Sequence, residues 1–187
     1  MLAVLALSLL TGFIGANASP GVFHSREMGL LKSKTDHFLS APSFAVVGAS
    51  EDETKFGTIV LKTMLEQGLD AVPVNPYSPF SEGKPCIHSL ADLDDPERTS
   101  ISIVTQPAVT LSILHQAIEL GIPAVWLQPG AEDFAVLEFI ENTNSTGTTF
   151  IHSSAHALAR RQDTTPPCGG RRDLDLDTPD LISTLSS

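Results

Sequence analysis

The chain has 187 residues, enough for one domain plus extensions, and its 42% hydrophobic and 18% charged content excludes a wholly disordered polymer. Eleven Lys and Arg stand against 22 Asp and Glu, a formal net charge of −11, which excludes a general nucleic-acid binder and a polybasic membrane-surface module. Two cysteines, Cys86 and Cys168, supply neither a disulfide framework nor a four-thiolate zinc site.

Met1 to Gly15 is apolar throughout and is followed by Ala16-Asn17-Ala18, the pattern of a secretory signal peptide, although no Lys or Arg precedes the run. It is too short for a stable membrane span. Residues 1–34 therefore read as a signal-like segment and linker. Residues 1–18 point to the secretory pathway, whereas the domain behind them, with no disulfide pattern, favours the cytoplasm or a mitochondrion.

Regular patterning begins near Thr35. Thr35 to Phe150 carries four cations against sixteen acids, so nearly all the acidity belongs to this segment. Phe44–Val47 is a continuous apolar run between Pro42 and Gly48, suited to a strand buried on both faces. Thr58–Gln67 has helical spacing and stops at Gly68. Ala71–Val74 is a second strand, Ile87–Leu93 a short helix and Ser100–Val104 a third strand. Val109–Leu120 is a helix ending at Gly121, Ala124–Leu127 a strand, Glu132–Glu141 a helix and Thr148–His152 the last strand. From Arg160 onward no period is sustained, so residues 159–187 read as a disordered tail.

Strands alternating with helices imply an α/β fold, a doubly wound parallel sheet in a single domain over residues 35–158. Ligands of such sheets bind beyond the carboxyl ends of the strands. After the first strand come Gly48-Ala49-Ser50, then an acidic stretch and Lys55-Phe56-Gly57. A small-residue turn leading to a helix start can offer N–H groups to a phosphate, with the Ser50 hydroxyl and Lys55 in support. The turn is neither GxGxxG nor a Walker A loop, and an ordinary tight turn reads the same way. The second strand ends in Asn75-Pro76 without the acid that a dinucleotide enzyme uses for its ribose. Thr105 and Pro107 leave the third strand, and Gln128 and Gly130 leave the fourth; Thr105 and Gln128 either line the crevice or cap the next helix. Trp126 reads as core. Six histidines form no HExxH, no GxSxG elbow is present, and Cys86 has no activating partner in the pattern.

Taken in order, FAVVGASEDETKFG, VPVNP, EGKP, SLADL, SISIVTQP and VWLQPGAED resemble the small stand-alone CoA-binding proteins. Their Rossmann-like domain is similar to the CoA-binding domain of the succinyl-CoA synthetase alpha subunit. The resemblance covers about Thr35 to Phe150 and leans toward the eukaryotic, fungal-like branch. It implies coenzyme A or an acyl-CoA as ligand, its diphosphate on Gly48, Ala49, Ser50 and Lys55. It implies an adenosine contact at Asn75 and Pro76, and further contacts at Thr105, Pro107, Val109, Gln128 and Gly130. The family closes its sheet with a strand leading into Pro-Cys, but here Thr149 to Ala155 reads TFIHSSA and Pro167-Cys168 comes later.

The leading expectation is a CoA or acyl-CoA binding module without evident catalytic residues or metal, taking a small nucleotide ligand. An NAD(P)-binding oxidoreductase-like protein and a degenerate domain acting through protein–protein contacts are the alternatives. Oligomeric state is not encoded in these patterns.

Overall fold

Apolar runs bounded by turn residues become the strands of one sheet. The computed structural model describes residues 25–143 and 147–152, with side chains from residue 29 onward. The elements are α1 (Ser25–Leu39), β1 (Ser43–Val47), α2 (Phe56–Glu66), β2 (Ala71–Val74), β3 (Phe80–Ser81), β4 (Lys84–Pro85), β5 (Thr99–Ile103), α3 (Pro107–Glu119), β6 (Ala124–Leu127), α4 (Phe134–Asn142) and β7 (Thr149–Ile151). Two 3-10 turns, Leu90–Asp92 and Pro96–Arg98, precede β5.

The main sheet has the order β2-β1-β5-β6-β7, and every pairing in it is parallel. Beyond β2 a single parallel bridge joins Val74 to Ile87. Counted as the stub of a strand, that bridge gives the outward order third, second, first, fourth, fifth, sixth, which is the Rossmann arrangement. The expected α/β, Rossmann-like sheet is therefore present. Its switch point lies between β1 and β5.

Alternation along the strands divides the core in two. Ala45, Val47, Ile101, Ile103, Val125 and Leu127 face α3 and α4, meeting Leu114, Ala117, Val136 and Ile140. Phe44, Val46, Ala124 and Trp126 face the other way, onto Phe38 of α1 and Val60, Leu61 and Met64 of α2. Trp126 is core, as its apolar run predicts: Phe38 sits edge-on to it at 5.4 Å and packs on Phe44 at 5.6 Å. Burying a ring the size of Phe38 removes enough apolar surface to contribute about 2–3 kcal/mol.

Three local features differ from the sequence expectation. Helix α1 crosses position 35, where the pattern placed the end of a linker; it is polar on average and buries Thr35 and Phe38. The helix expected over Ile87–Leu93 is a bridge and a 3-10 turn, because Ile87 is drawn into pairing: its N–H donates to Pro73 O and its carbonyl accepts from Asn75 N. Ser89 and Asp92 then form a reciprocal capping box that closes the short turn. Between β2 and that bridge, the hairpin β3–β4 turns at Glu82-Gly83, both with positive φ, as a two-residue hairpin of this hand requires. Pro73 is accommodated because β2 lies near the sheet edge.

Both sheet margins are closed by an ammonium. Lys34 Nζ donates to Phe150 O of β7 at 2.9 Å, and Lys84 Nζ donates to Ala71 O of β2 at 2.9 Å. Such contacts occupy edge carbonyls that would otherwise invite another strand. Burial pulls the Lys34 pKa below its usual 10.5. Strand β7 pairs with β6 even though its sequence lacks the family's Pro-Cys element. No helix among the described residues is long and apolar enough to cross a membrane. The signal-like residues 1–18, His156, Cys168 and the tail 159–187 lie outside the described residues.

Candidate functional site

The switch point is built by two close approaches. Gly48 follows β1 with φ +98°, and a Cβ there would lie 2.5 Å from Val104 O and 3.3 Å from Thr105 Cγ2. The loops leaving β1 and β5 therefore touch, and only glycine fits at 48. Gly57, in the first turn of α2, comes as near from the other side: its Cβ would lie 2.5 Å from Gly48 O and 2.8 Å from Gly48 C. The start of α2 is thus pressed against the first loop.

Side chains hold that loop in place. Thr58 Oγ1 accepts from Ser50 N at 3.1 Å and donates to Ser50 O at 2.9 Å. Ser81 Oγ donates to the same carbonyl at 2.7 Å, and Asn75 Nδ2 donates to Ala49 O at 2.7 Å. Further on, Asp52 Oδ1 accepts from Thr54 Oγ1 at 2.6 Å and Thr54 N at 3.0 Å. The Thr54 hydroxyl, then its N–H, then the Lys55 ammonium hold the Asp52 carboxyl below its usual pKa. Lys55 N donates to Asp52 O, which leads the chain into α2.

The helix starts at the switch point differ from the one beside it. The N-cap of α2 is Lys55, whose side chain makes no cap bond, and its first turn contains no acid. The N-cap of α3 is Gln106, again without a side-chain cap bond, followed by Pro107 and no acid. Helix α4, by contrast, is capped by its own Asp133, which accepts from Val136 N at 2.9 Å. The first N–H groups of any helix lack intrahelical acceptors and carry a partial positive charge. A cation at such an end is unfavourable for the helix, and the Lys55 charge is offset in part by the nearby Asp52 carboxylate, whose pKa it lowers.

A cleft of about 320 Å³ opens beside the first loop, lined by Glu51, Glu53, Phe80, Ser81, Glu82 and Gly83. Three carboxylates make it a poor host for phosphate. Cys86 lies close by, half-buried, and burial followed by the Glu51 charge pushes its thiol pKa up from 9.0. Among the described residues no group of three or more His, Cys, Asp or Glu is placed to hold a metal ion.

The structure brings Gly48, Ala49, Ser50, Asn75 and Thr105 together, with Lys55 and Pro107 at the two helix starts. Pro76 is exposed beyond Asn75, and Val109 is exposed in the first turn of α3. Thr105 Oγ1 is engaged with Thr110 Oγ1 at 2.9 Å, a local contact to the first turn of α3. Gln128 does not line the crevice: its side chain is 1% exposed and donates to Ser102 Oγ at 3.0 Å, beneath the end of β5. Pro129 and Gly130 form the turn closed by Ala131 N on Gln128 O. The sequence reading missed Thr58 and Ser81, the residues that brace the loop, and the closeness of Gly57 to Gly48. The spacing of nine between those glycines carries no recognised signal. Most exposed large apolar side chains ring the same edge: Phe56, Ile59, Tyr77, Phe80, Val109 and Phe134, with Leu30 on α1 the exception.

Residues 42–154 match the model of a family described as the CoA binding domain. Among solved structures, a conserved hypothetical protein of Pyrococcus furiosus is 32% identical, with 63% of this chain and 97% of that one covered and a TM-score of 0.53. A Thermus thermophilus protein is 25% identical over 70% of this chain and 97% of its own, with a TM-score of 0.57. The dinucleotide-forming acetyl-coenzyme A synthetase 1 of Ca. Korarchaeum cryptofilum shares the fold at 22% identity and a TM-score of 0.51, over 58% of this chain and 25% of that enzyme. No curated protein matches the chain.

Proposed function

The chain belongs to the CoA binding domain family, and from that premise we propose that it binds coenzyme A or an acyl-CoA as a binding module without catalytic residues of its own. The ligand's diphosphate rests on Gly48, Ala49 and Ser50 at the start of α2, with Lys55 beside it. Asn75 and Pro76 lie toward the adenosine, and Thr105, Pro107, Val109 and the Gln128–Gly130 turn form the opposite wall. Gln128 shapes that wall through Ser102 rather than touching the ligand.

The observation that carries this reading is the pair of uncapped, acid-free helix starts flanking the switch point, set against the self-capped α4. Backbone N–H groups there hold an anion without net positive charge. The apolar rim at the same edge suits a ligand that is part phosphate, part aromatic and part aliphatic. An NAD(P) dehydrogenase fits less well. At the end of β2 stands Asn75 in place of a carboxylate, and both ends of its amide are already engaged, with Ala49 O and Tyr77 N.

Calorimetric titration with CoA, NADH and NADPH tests the proposal. Micromolar CoA binding with silent nicotinamide nucleotides is the expected result, and the reverse pattern overturns it. Failure of all three favours a domain acting only through protein contacts. Gly48→Asp sets a carboxylate against the phosphates and a side chain against Val104 O, so it abolishes CoA binding; full affinity in that variant refutes the loop assignment.

A further inference from the structure

From Asn75 to Ser81 the chain forms a strap that is fastened to the first loop at both ends. Asn75 Nδ2 holds Ala49 O and Ser81 Oγ holds Ser50 O, each at 2.7 Å. Pro76 and Pro79 fix φ within the strap, so little freedom remains between the two fastenings. Tyr77 is carried on it, with its N–H donating to Asn75 Oδ1 at 2.9 Å, so the amide that braces the first loop also sets the backbone under the ring. The Tyr77 side chain is nevertheless 94% exposed, the highest value among the exposed large apolar side chains described, and Phe80, three residues on, is 54% exposed.

A fixed backbone presenting a solvated aromatic ring is a stacking platform. Its place beyond the carboxyl end of β2 is where an open sheet of this order receives the adenosine half of a nucleotide. The strap itself has no carboxylate for a ribose, and the acids nearby, Glu51, Glu53 and Glu82, line the cleft at its Phe80-Ser81 end. Recognition at this end therefore falls to a π-face rather than to a hydrogen-bonding acid. Resting on the reading of the first loop as a diphosphate site, we propose that Tyr77 stacks on the adenine ring of the bound nucleotide and is the residue that selects its adenosine end.

The chain contains one tyrosine, so its ring gives the single tyrosine spin system in a two-dimensional proton NMR spectrum. CoA added to the intact protein shifts those resonances, whereas 4′-phosphopantetheine, which lacks the adenosine, leaves them in place. Tyr77→Ala weakens CoA binding by about ten- to a hundredfold, the range of one aromatic–base stack, and leaves 4′-phosphopantetheine affinity unchanged. Tyr77→Phe keeps CoA affinity, because the ring face is retained. If CoA binds the unaltered protein while the tyrosine lines stay put and Tyr77→Ala binds as well as wild type, the platform is refuted and the first-loop reading stands. If the unaltered protein does not bind CoA at all, both fall.

Discussion

Replacing Gly57 by Ala sets two effects of opposite sign against each other. In most helices this change stabilises, because glycine costs about 0.5–1 kcal/mol relative to alanine. Here the new Cβ would lie 2.5 Å from Gly48 O, 2.8 Å from Gly48 C and 3.0 Å from Ala49 N, all backbone atoms. Ordinary contact begins near 3.4 Å, so α2 or the loop must give by about 0.9 Å. Overpacking of this kind costs about 1–3 kcal/mol, which outweighs the propensity gain. We expect a net loss of about 1–2 kcal/mol in urea unfolding. The same movement carries the α2 N–H groups away from the first loop. Hydrogen bonds to charged groups contribute about 1.5–3 kcal/mol each, so CoA affinity should fall at least about tenfold by calorimetry. Gly29→Ala is the control: its Cβ on α1 meets nothing within 4 Å, so it should raise stability slightly and leave CoA affinity alone. A Gly57→Ala protein as stable as wild type, with unchanged CoA affinity, would refute the close approach as the basis of the site.

Two serines on one face of β5 make a second test. Ser102→Ala leaves the buried Gln128 amide without its acceptor and should cost about 1–3 kcal/mol, whereas Ser100→Ala removes a buried hydroxyl with no partner among the described residues and should be neutral or stabilising in the same denaturation assay. Equal effects of the two would contradict the assigned bond. Lys34 gives a pH dependence: with its folded pKa below 10.5, the unfolded chain binds the proton more tightly, so stability rises as pH climbs through the interval up to 10.5. Lys34→Met should remove that rise from denaturation curves measured across the interval; parallel curves for the two proteins would show that burial does not perturb the amine.

Strand positions were legible in the sequence because their signal is local: Phe44–Val47 and Ala124–Leu127 are apolar runs closed by Gly48 and Gln128-Pro129, and both became strands. Helix α1 was not, since its one deeply buried ring, Phe38, acquires meaning only once Phe44 and Trp126 are brought beneath it. The misread Ile87–Leu93 fails for a related reason: Ile87 is claimed by Pro73 and Asn75, a decision made between segments. At the site, a turn at Gly48 could be read directly, because a glycine closes the apolar run, but its contact with Val104 O could not, since that partner comes from another strand. The braces Thr58 and Ser81 could not, since nothing in a threonine eight residues after a serine, or a serine 31 residues after it, marks a hydrogen bond to that residue's backbone. Gln128 shows the converse: its residue type suggested a ligand contact, and packing turned it inward onto Ser102.

The domain's acidity and its proposed anionic ligand are reconciled by where the charges stop. Acids occupy Glu51, Glu53 and Glu82 around the cleft, on the hairpin side of the first loop. None occupies the first turn of α2 or α3. Coulomb interaction falls with distance and is screened within about 8–10 Å in salt, whereas N–H groups in contact with a phosphate act at hydrogen-bond range. On the proposed reading, the local dipoles would hold the anion and the carboxylates would set the side from which it arrives. A phosphate approaching over the hairpin meets three like charges; one approaching over the α2 and α3 starts meets Lys55 and no acid in either first turn. The strap bearing Tyr77 is fastened to the carbonyls of Ala49 and Ser50 and runs into the cleft wall at Phe80 and Ser81. An aromatic ring is suited to that strap, because its face binds a base without requiring either sign of charge.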